Sequence, residues 1–214
     1  MNPRLRITEI FHSLQGEAVT VGCPTVFVRL TGCPLRCQYC DSAYAFQGGE
    51  WRDVDSIVDE VLAYGAQYVT VTGGEPLAQK NCLPLLVKLC DAGLSVSLET
   101  SGALPIGDVD CRVSRVVDIK TPGSNEVDKN LWGNIDRLAD NDQVKFVLCS
   151  EDDYDWAKSI IQKYSFPTGC EILFSASATQ LSATKLADWI VRDRLKVRFQ
   201  LQLHKLLWDD EPGR

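Results

Sequence analysis

Cys33, Cys37 and Cys40 stand as Cys-x3-Cys-x2-Cys within Gly32-Cys-Pro-Leu-Arg-Cys-Gln-Tyr-Cys-Asp-Ser42. Three thiolates in one short loop can hold three irons of a four-iron cubane and leave the fourth open to a small molecule. Two plainer uses compete. A structural zinc ion takes four ligands, commonly as separated pairs, and a fourth cysteine or histidine at fitting spacing is missing here. An electron-transfer cluster is also held by four cysteines. The triad therefore points to chemistry at an open iron. The other cysteines read as small buried hydrophobes. Cys23 is the one that folding could still bring near the cluster.

Polar groups recur where apolar runs end. They are Arg29-Leu-Thr-Gly-Cys33, Thr72-Gly-Gly-Glu-Pro76, Glu99-Thr-Ser-Gly102, Asp118-Ile-Lys-Thr-Pro122 and Gln202-Leu-His-Lys205. The runs before them are rich in Val, Ile, Leu and Phe, as buried parallel strands are. Strands are expected over 25–30, 68–72, 94–99, 115–119, 143–148, 171–174 and 197–203, with a further one over 5–11. Helices are expected over 53–64, 82–92, 128–139, 151–164 and 181–195. The first of these sets Val54, Ile57, Val58, Val61 and Leu62 on one stripe, and Gly65 stops it. Alternating strands and helices predict right-handed βαβ units on a parallel sheet. The units are too few for a full eight-fold barrel, so a partial, open barrel or a doubly wound sheet fits. In either, ligands sit at the carboxyl ends of the strands, and the polar tips read as one shared site.

Composition sets outer bounds. The chain has 214 residues, 45% of them hydrophobic, with 24% charged and a net charge of −7. That balance is globular, and its sign argues against a sequence-independent grip on nucleic acid. No apolar run approaches membrane-spanning length. The N-terminal residues lack a signal-peptide apolar region, so the expected address is the cytoplasm. No repeats or long linkers divide the chain, and a single domain over 1–214 is expected.

The triad with Tyr39 before its last cysteine resembles the radical S-adenosylmethionine superfamily. Within that superfamily, Ser13-Leu-Gln-Gly-Glu17, Gly22-x-Pro24, Phe27-Val-Arg-Leu-x-Gly-Cys33 and Cys40-Asp-Ser42 resemble the 7-carboxy-7-deazaguanine synthase family. The likeness continues through the remaining tip motifs and covers nearly the whole chain. It implies an α/β fold, a partial, open (βα)6-like barrel of the radical S-adenosylmethionine type with a mostly parallel sheet. It implies a lyase that converts 6-carboxy-5,6,7,8-tetrahydropterin to 7-carboxy-7-deazaguanine, with ring contraction and loss of ammonia, on the way to queuosine and related deazapurines. The cofactors implied are one [4Fe-4S] cluster, S-adenosylmethionine and Mg2+. The partners implied are the pterin, an electron donor such as flavodoxin or ferredoxin, and a second copy in a homodimer.

The same resemblance implies residue roles. Cys33, Cys37 and Cys40 would hold the cluster. Tyr39, Cys40, Asp41, Gly73, Gly74, Glu75, Ser101, Lys120 and Ser150 would bind S-adenosylmethionine, the glycines through carbonyls turned to the methionine amino group. Leu14, Gln15, Gly16, Glu17, Arg29, Thr72, His204 and the C-terminal Arg214 would bind the substrate, with Arg29 on its carboxylate. Ser42 would ligate magnesium. Four positions depart from the family pattern: Ser42 replaces the commoner threonine, Ala18 a frequent glycine, Pro34 an asparagine, and Ser175-Ala176 a Ser-Pro pair. A glycyl-radical-activating enzyme shares the triad, but acts on a protein and has no need of Arg29 and the Ser-Leu-Gln-Gly-Glu segment. A non-catalytic iron–sulfur or zinc protein is the rival from another class.

Overall fold

Alternation along the central strands decides which way each side chain faces. In the computed structural model, which describes residues 2–209, 211 and 213, Val26, Val28 and Leu30 of β2 (Pro24–Leu30) point outward into an apolar core. Thr25, Phe27 and Arg29 take the opposite, inner face. β4 (Tyr68–Gly73) repeats the pattern, with Val69 and Val71 outward.

The sheet has nine strands among the described residues. β1 (Arg4–Leu14) lies antiparallel between β2 and a short β3 (Glu50–Asp53). Then β2, β4, β5 (Ser95–Thr100), β6 (Ser114–Asp118), β7 (Gln143–Leu148), β8 (Glu171–Ala176) and β9 (Arg198–Gln200) run parallel in sequence order. β3 and β9 end the sheet without pairing to each other, so the barrel is open, as expected.

Helices α1 (Val54–Ala63) and α2 (Cys82–Asp91) cover the first half, burying Ile57, Val61, Leu85, Leu86 and Leu89 at helical spacing. Both end at glycines in the left-handed region, Gly65 and Gly93. Helices α3 (Glu151–Lys163) and α4 (Ala183–Asp193) cover β7 and β8 around Tyr154, Phe146 and Phe174. A short α5 (Leu203–Trp208) is the last helix among the described residues.

Three expectations change. The helix over 128–139 is replaced by 3-10 turns at Val127–Lys129 and Trp132–Arg137. Asn130 and Asn134 spend their amides on distant backbone: Asn130 brackets Lys120 with two bonds of 2.8 Å, and Asn134 donates to Gly102 O and Leu104 O. Side-chain amides that bond backbone in this way compete with helix. The strand over 197–203 stops at Gln200, and His204 lies in α5 instead of at a strand tip. β3 has no apolar run to announce it; pairing with Arg4–Ile7 holds it.

Candidate active site

The tips of β2, β4 and β5 are pressed together by glycines and one buried carboxylate. A Cβ on Gly74 would come within 2.2 Å of Gly32 O and 2.9 Å of Cys33 Cβ. The Gly73–Gly74 backbone thus lies directly against the root of the cysteine loop, with Glu75 N donating to Gly32 O at 2.8 Å. Glu75 is fully buried. Its carboxylate accepts from Leu77 N (2.9 Å), Thr100 Oγ1 (3.0 Å), Ser101 N (2.7 Å) and Ser101 Oγ (2.5 Å). Glu75 therefore fastens the tip, and the Ser101 hydroxyl is committed to it.

The three cysteines share the loop that follows β2, all partly exposed and none in a disulfide. Burial pushes the Cys37 thiol up to about 11 and raises Cys33 as well, while the nearby Lys120 ammonium works the other way. Lys120 is bound to Asp118 at 2.7 Å and lies 5.9 Å from the Tyr39 ring centroid. Ser42 begins a single 3-10 turn, Ala43–Phe46, yet its hydroxyl makes no capping bond and lies 3.9 Å from Cys40 Sγ. Cys23, by contrast, precedes β2. A seven-residue strand keeps it roughly 20 Å from the loop, too far to ligate the cluster.

Inside the barrel the remaining polar groups converge. Arg29 Nε donates to Glu9 at 2.6 Å, and Tyr44 donates to the same Glu9 oxygen at 2.7 Å. Among the described residues the terminal nitrogens of Arg29 carry no bond. Arg29 registers beside Thr72, whose hydroxyl donates to Glu99 at 2.8 Å. Gln15 Nε2 reaches Thr70 at 3.0 Å, and Glu17 forms a buried ion pair with Lys145. Burial raises Glu99, as does Glu17, against Lys145, Thr72 and Arg29. Burial disfavours charge on Lys145, but Glu17, Asp118 and Glu99 outweigh it and hold the ammonium protonated. α5 docks on this segment: Leu203 N donates to Gly16 O at 3.0 Å, and a Cβ on Gly16 would meet His204 Nδ1 at 2.2 Å. Only glycine lets that ring in. Gln202 donates to Asp41 at 3.0 Å, and Lys205 stands 3.7 Å away. Burial opposes the Asp41 charge, yet Lys145, Lys205 and Gln202 prevail and lower its pKa. Burial lowers His204, against Glu17 and Asp41.

Residues 27–110 match the family model described as the radical SAM superfamily. A 7-carboxy-7-deazaguanine synthase of Chlorobaculum tepidum is 46% identical over 97% of this chain and 96% of its own length. The chain belongs to the 7-carboxy-7-deazaguanine synthase family. The enzyme of the same name from Koribacter versatilis is 39% identical over 97% of this chain and 98% of its own. The crystal structure of QueE from Escherichia coli shares the fold, with a TM-score of 0.72 at 23% identity over 94% of this chain and 95% of that one.

As a radical S-adenosylmethionine enzyme of the 7-carboxy-7-deazaguanine synthase family, the chain uses a [4Fe-4S] cluster and S-adenosylmethionine. Its own residues fit them. Tyr39 Oη and Asp118 Oδ1 are buried without a hydrogen-bond partner among the described residues, close to each other and to Cys37. Buried polar atoms are rarely left so, and a polar ligand beside the thiols would satisfy them. Among the described residues no three His, Cys, Asp or Glu side chains gather to hold a single metal ion, whereas a cubane spreads its thiolates over separate irons.

The structure brings Gln15, Gly16, Glu17, Arg29, Thr72 and His204 to the barrel interior or its rim, and the cysteine loop, Asp41 and Lys120 to the strand tips; Leu14 ends β1 beside Pro24, at the start of β2. The Ser150 hydroxyl accepts from Asp153 N at 3.2 Å as the cap of α3. Arg214 lies outside the described residues. Ala18, where the family often has glycine, sits at φ 62°, a left-handed geometry that costs roughly 1–2 kcal/mol without glycine. Sequence reading placed Glu99 at a strand tip but missed two charges beside it, Lys145 and Glu9. Lys145 occupies an inner-face position of its strand, and that alternation was the available signal; Glu9 reaches the inner face only through a bulge between Ile7 and Glu9, which no sequence pattern announces.

Proposed function

We propose that this chain converts 6-carboxy-5,6,7,8-tetrahydropterin to 7-carboxy-7-deazaguanine, with ring contraction and loss of ammonia, as its family does. One arrangement carries the reading. Arg29 sits near the end of β2, the strand that the cysteine loop follows, so a carboxylate held by Arg29 would face the interior on the thiol side.

When bound, the cluster and S-adenosylmethionine supply a radical that takes a hydrogen atom from the substrate. The chain's own part is to bind and orient. Cys33, Cys37 and Cys40 hold the cluster. Gly73 and Gly74 offer carbonyls to the methionine amino group, while Tyr39, Cys40, Asp41, Ser101, Lys120 and Ser150 border the rest of that cofactor. Glu9 fixes Arg29 through Nε, leaving its terminal nitrogens for the substrate carboxylate. Lys145 pairs with Glu17 and holds its carboxylate in place as an acceptor for guanidine-like N–H groups. Leu14, Gln15, Gly16, Thr72 and His204 border the ring, with Arg214 as a further substrate contact. The Ser42 hydroxyl, not used to cap its turn, suits magnesium, an oxygen-seeking ion that retains waters, with Asp41 beside it. A flavodoxin- or ferredoxin-like electron donor, a homodimeric state and a cytoplasmic setting complete the reading.

Anaerobic incubation with the carboxylated pterin, S-adenosylmethionine, magnesium and a reductant should yield a product of the mass of 7-carboxy-7-deazaguanine; unchanged pterin would reject the reading. Arg29→Ala should raise KM for the pterin by the loss of a charge-assisted pair of about 1.5–3 kcal/mol. An unchanged KM would remove Arg29 from the substrate site.

A further inference from the structure

Asp153 lies in the first turn of α3, buried, and the reaction above does not use it. An aspartate there would ordinarily serve its own helix. Here Ser150 caps the helix, and both Asp153 oxygens are spent elsewhere. Oδ1 accepts from Gly123 N at 2.8 Å. Oδ2 accepts from Thr121 Oγ1 at 3.0 Å and from Cys149 N at 2.9 Å. The approach to Gly123 is close: a Cβ there would stand 2.3 Å from Oδ2 and 2.9 Å from Cys149 Cβ.

The turn so held grips the cysteine loop. Ser124 Oγ donates to Thr121 O at 2.6 Å and accepts from Glu126 N at 3.0 Å, which makes the turn one unit. Gln38 N donates to Ser124 O at 3.2 Å, and the Gln38 amide donates to Gly123 O. Arg36 N donates to a Glu126 carboxylate oxygen. Cys37 is thus bracketed by two backbone N–H groups, both anchored to the turn that Asp153 fastens.

We infer that Asp153 is a positioning residue for the cysteine loop, setting the Arg36–Cys37–Gln38 backbone before any iron arrives. Ligands fixed in advance lose less freedom on binding, and the buried carboxylate lets the tips of β6 and β7 act on a loop that follows β2. The consequence for a cluster rests on the reading of the triad given above; the fastening itself does not.

Two variants test it. Asp153→Asn keeps the shape but turns an amide donor toward N–H groups. Gly123→Ala drives the turn off the carboxylate from the other side. In metal-free protein, each should speed amide hydrogen exchange in residues 33–42 by about tenfold, with exchange in β2 unchanged. After reconstitution with iron and sulfide, each should lose iron to a chelator several-fold faster than wild type. Unchanged loop exchange would overturn the inference, and so would exchange raised equally in β2, which would make Asp153 a general fold residue. Should the wild-type protein take up no four-iron cluster, the reading of the triad fails while the exchange result still decides the fastening.

Discussion

The outer face of the barrel is built in two ways. Around β2, β4 and β5, helices α1 and α2 bury Leu85, Leu86, Ile57 and Val61 against Val26, Val28 and Val71. From β5 to β7 the described connections contain no α-helix; Val109, Val113, Trp132 and Leu138 still pack on the core, but a network of polar side chains fastens the loops that carry them. Arg115 Nε donates to Asp142 at 2.9 Å, and its other nitrogens reach Ile106 O and Arg137 O. Asn134 joins Gly102, Leu104 and Ile106. Apolar packing scales with area and tolerates shape-conserving change. Hydrogen-bond networks are directional and fail when one member is lost. The second method uses few residues, and it leaves the connection after β6 free to supply the 121–126 turn that holds the cysteine loop.

Breaking the polar half should have the largest effect. Asp142→Ala strands Arg115, whose side chain is only 8% exposed, and should cost about 3–5 kcal/mol in denaturant unfolding. A loss under about 1 kcal/mol would show that the pair does not hold this half. Leu85→Ala should cost about 2–5 kcal/mol through lost packing and a cavity. The contrast lies in function: the pterin KM of folded Leu85→Ala protein should match wild type, and a raised KM would blur the division. Asn134→Ala should cost about 1–3 kcal/mol, with hydrogen exchange rising at 102–106 more than in α2.

The smallest expected effect lies on the inner face of β5. Burial and Glu17 raise Glu99 above its ordinary 4.5. The folded state therefore holds this proton more tightly than the unfolded state, and stability falls as pH rises above 4.5 towards the folded value. Glu99→Gln should flatten that decline. The gain, read as Tm from pH 5 to 8, should be confined to the neutral end; parallel curves would place the Glu99 titration outside the stability balance.

Strands and tips were legible because runs rich in Val, Ile, Leu and Phe and the polar motifs that end them are local signals. The cysteine loop and the Gly-Gly-Glu turn fell where they were read. The segment 128–139 was misread because its apolar spacing imitates a helix, while Asn130 and Asn134 bond to backbone far away in sequence. Ser101 and Ser150 were read as ligand contacts, and the bonds their hydroxyls make to Glu75 and to the first turn of α3 had no local signal. Lys145 escaped notice because a lysine inside a strand looks exposed until Glu17, 128 positions away, is folded against it.

The open sheet has one more consequence, for how the molecule behaves among its copies. A barrel that never closes leaves two edges of unpaired N–H and C=O groups, the usual template for strand-by-strand aggregation. Here the edges are β3, with four residues, and β9, with three. Glu50 and Asp53 are exposed on one, and exposed Arg198 meets Glu171 at 3.4 Å on the other. Short, charged edges offer an incoming strand little to pair with, so the opening need not become a seed for stacking chain upon chain.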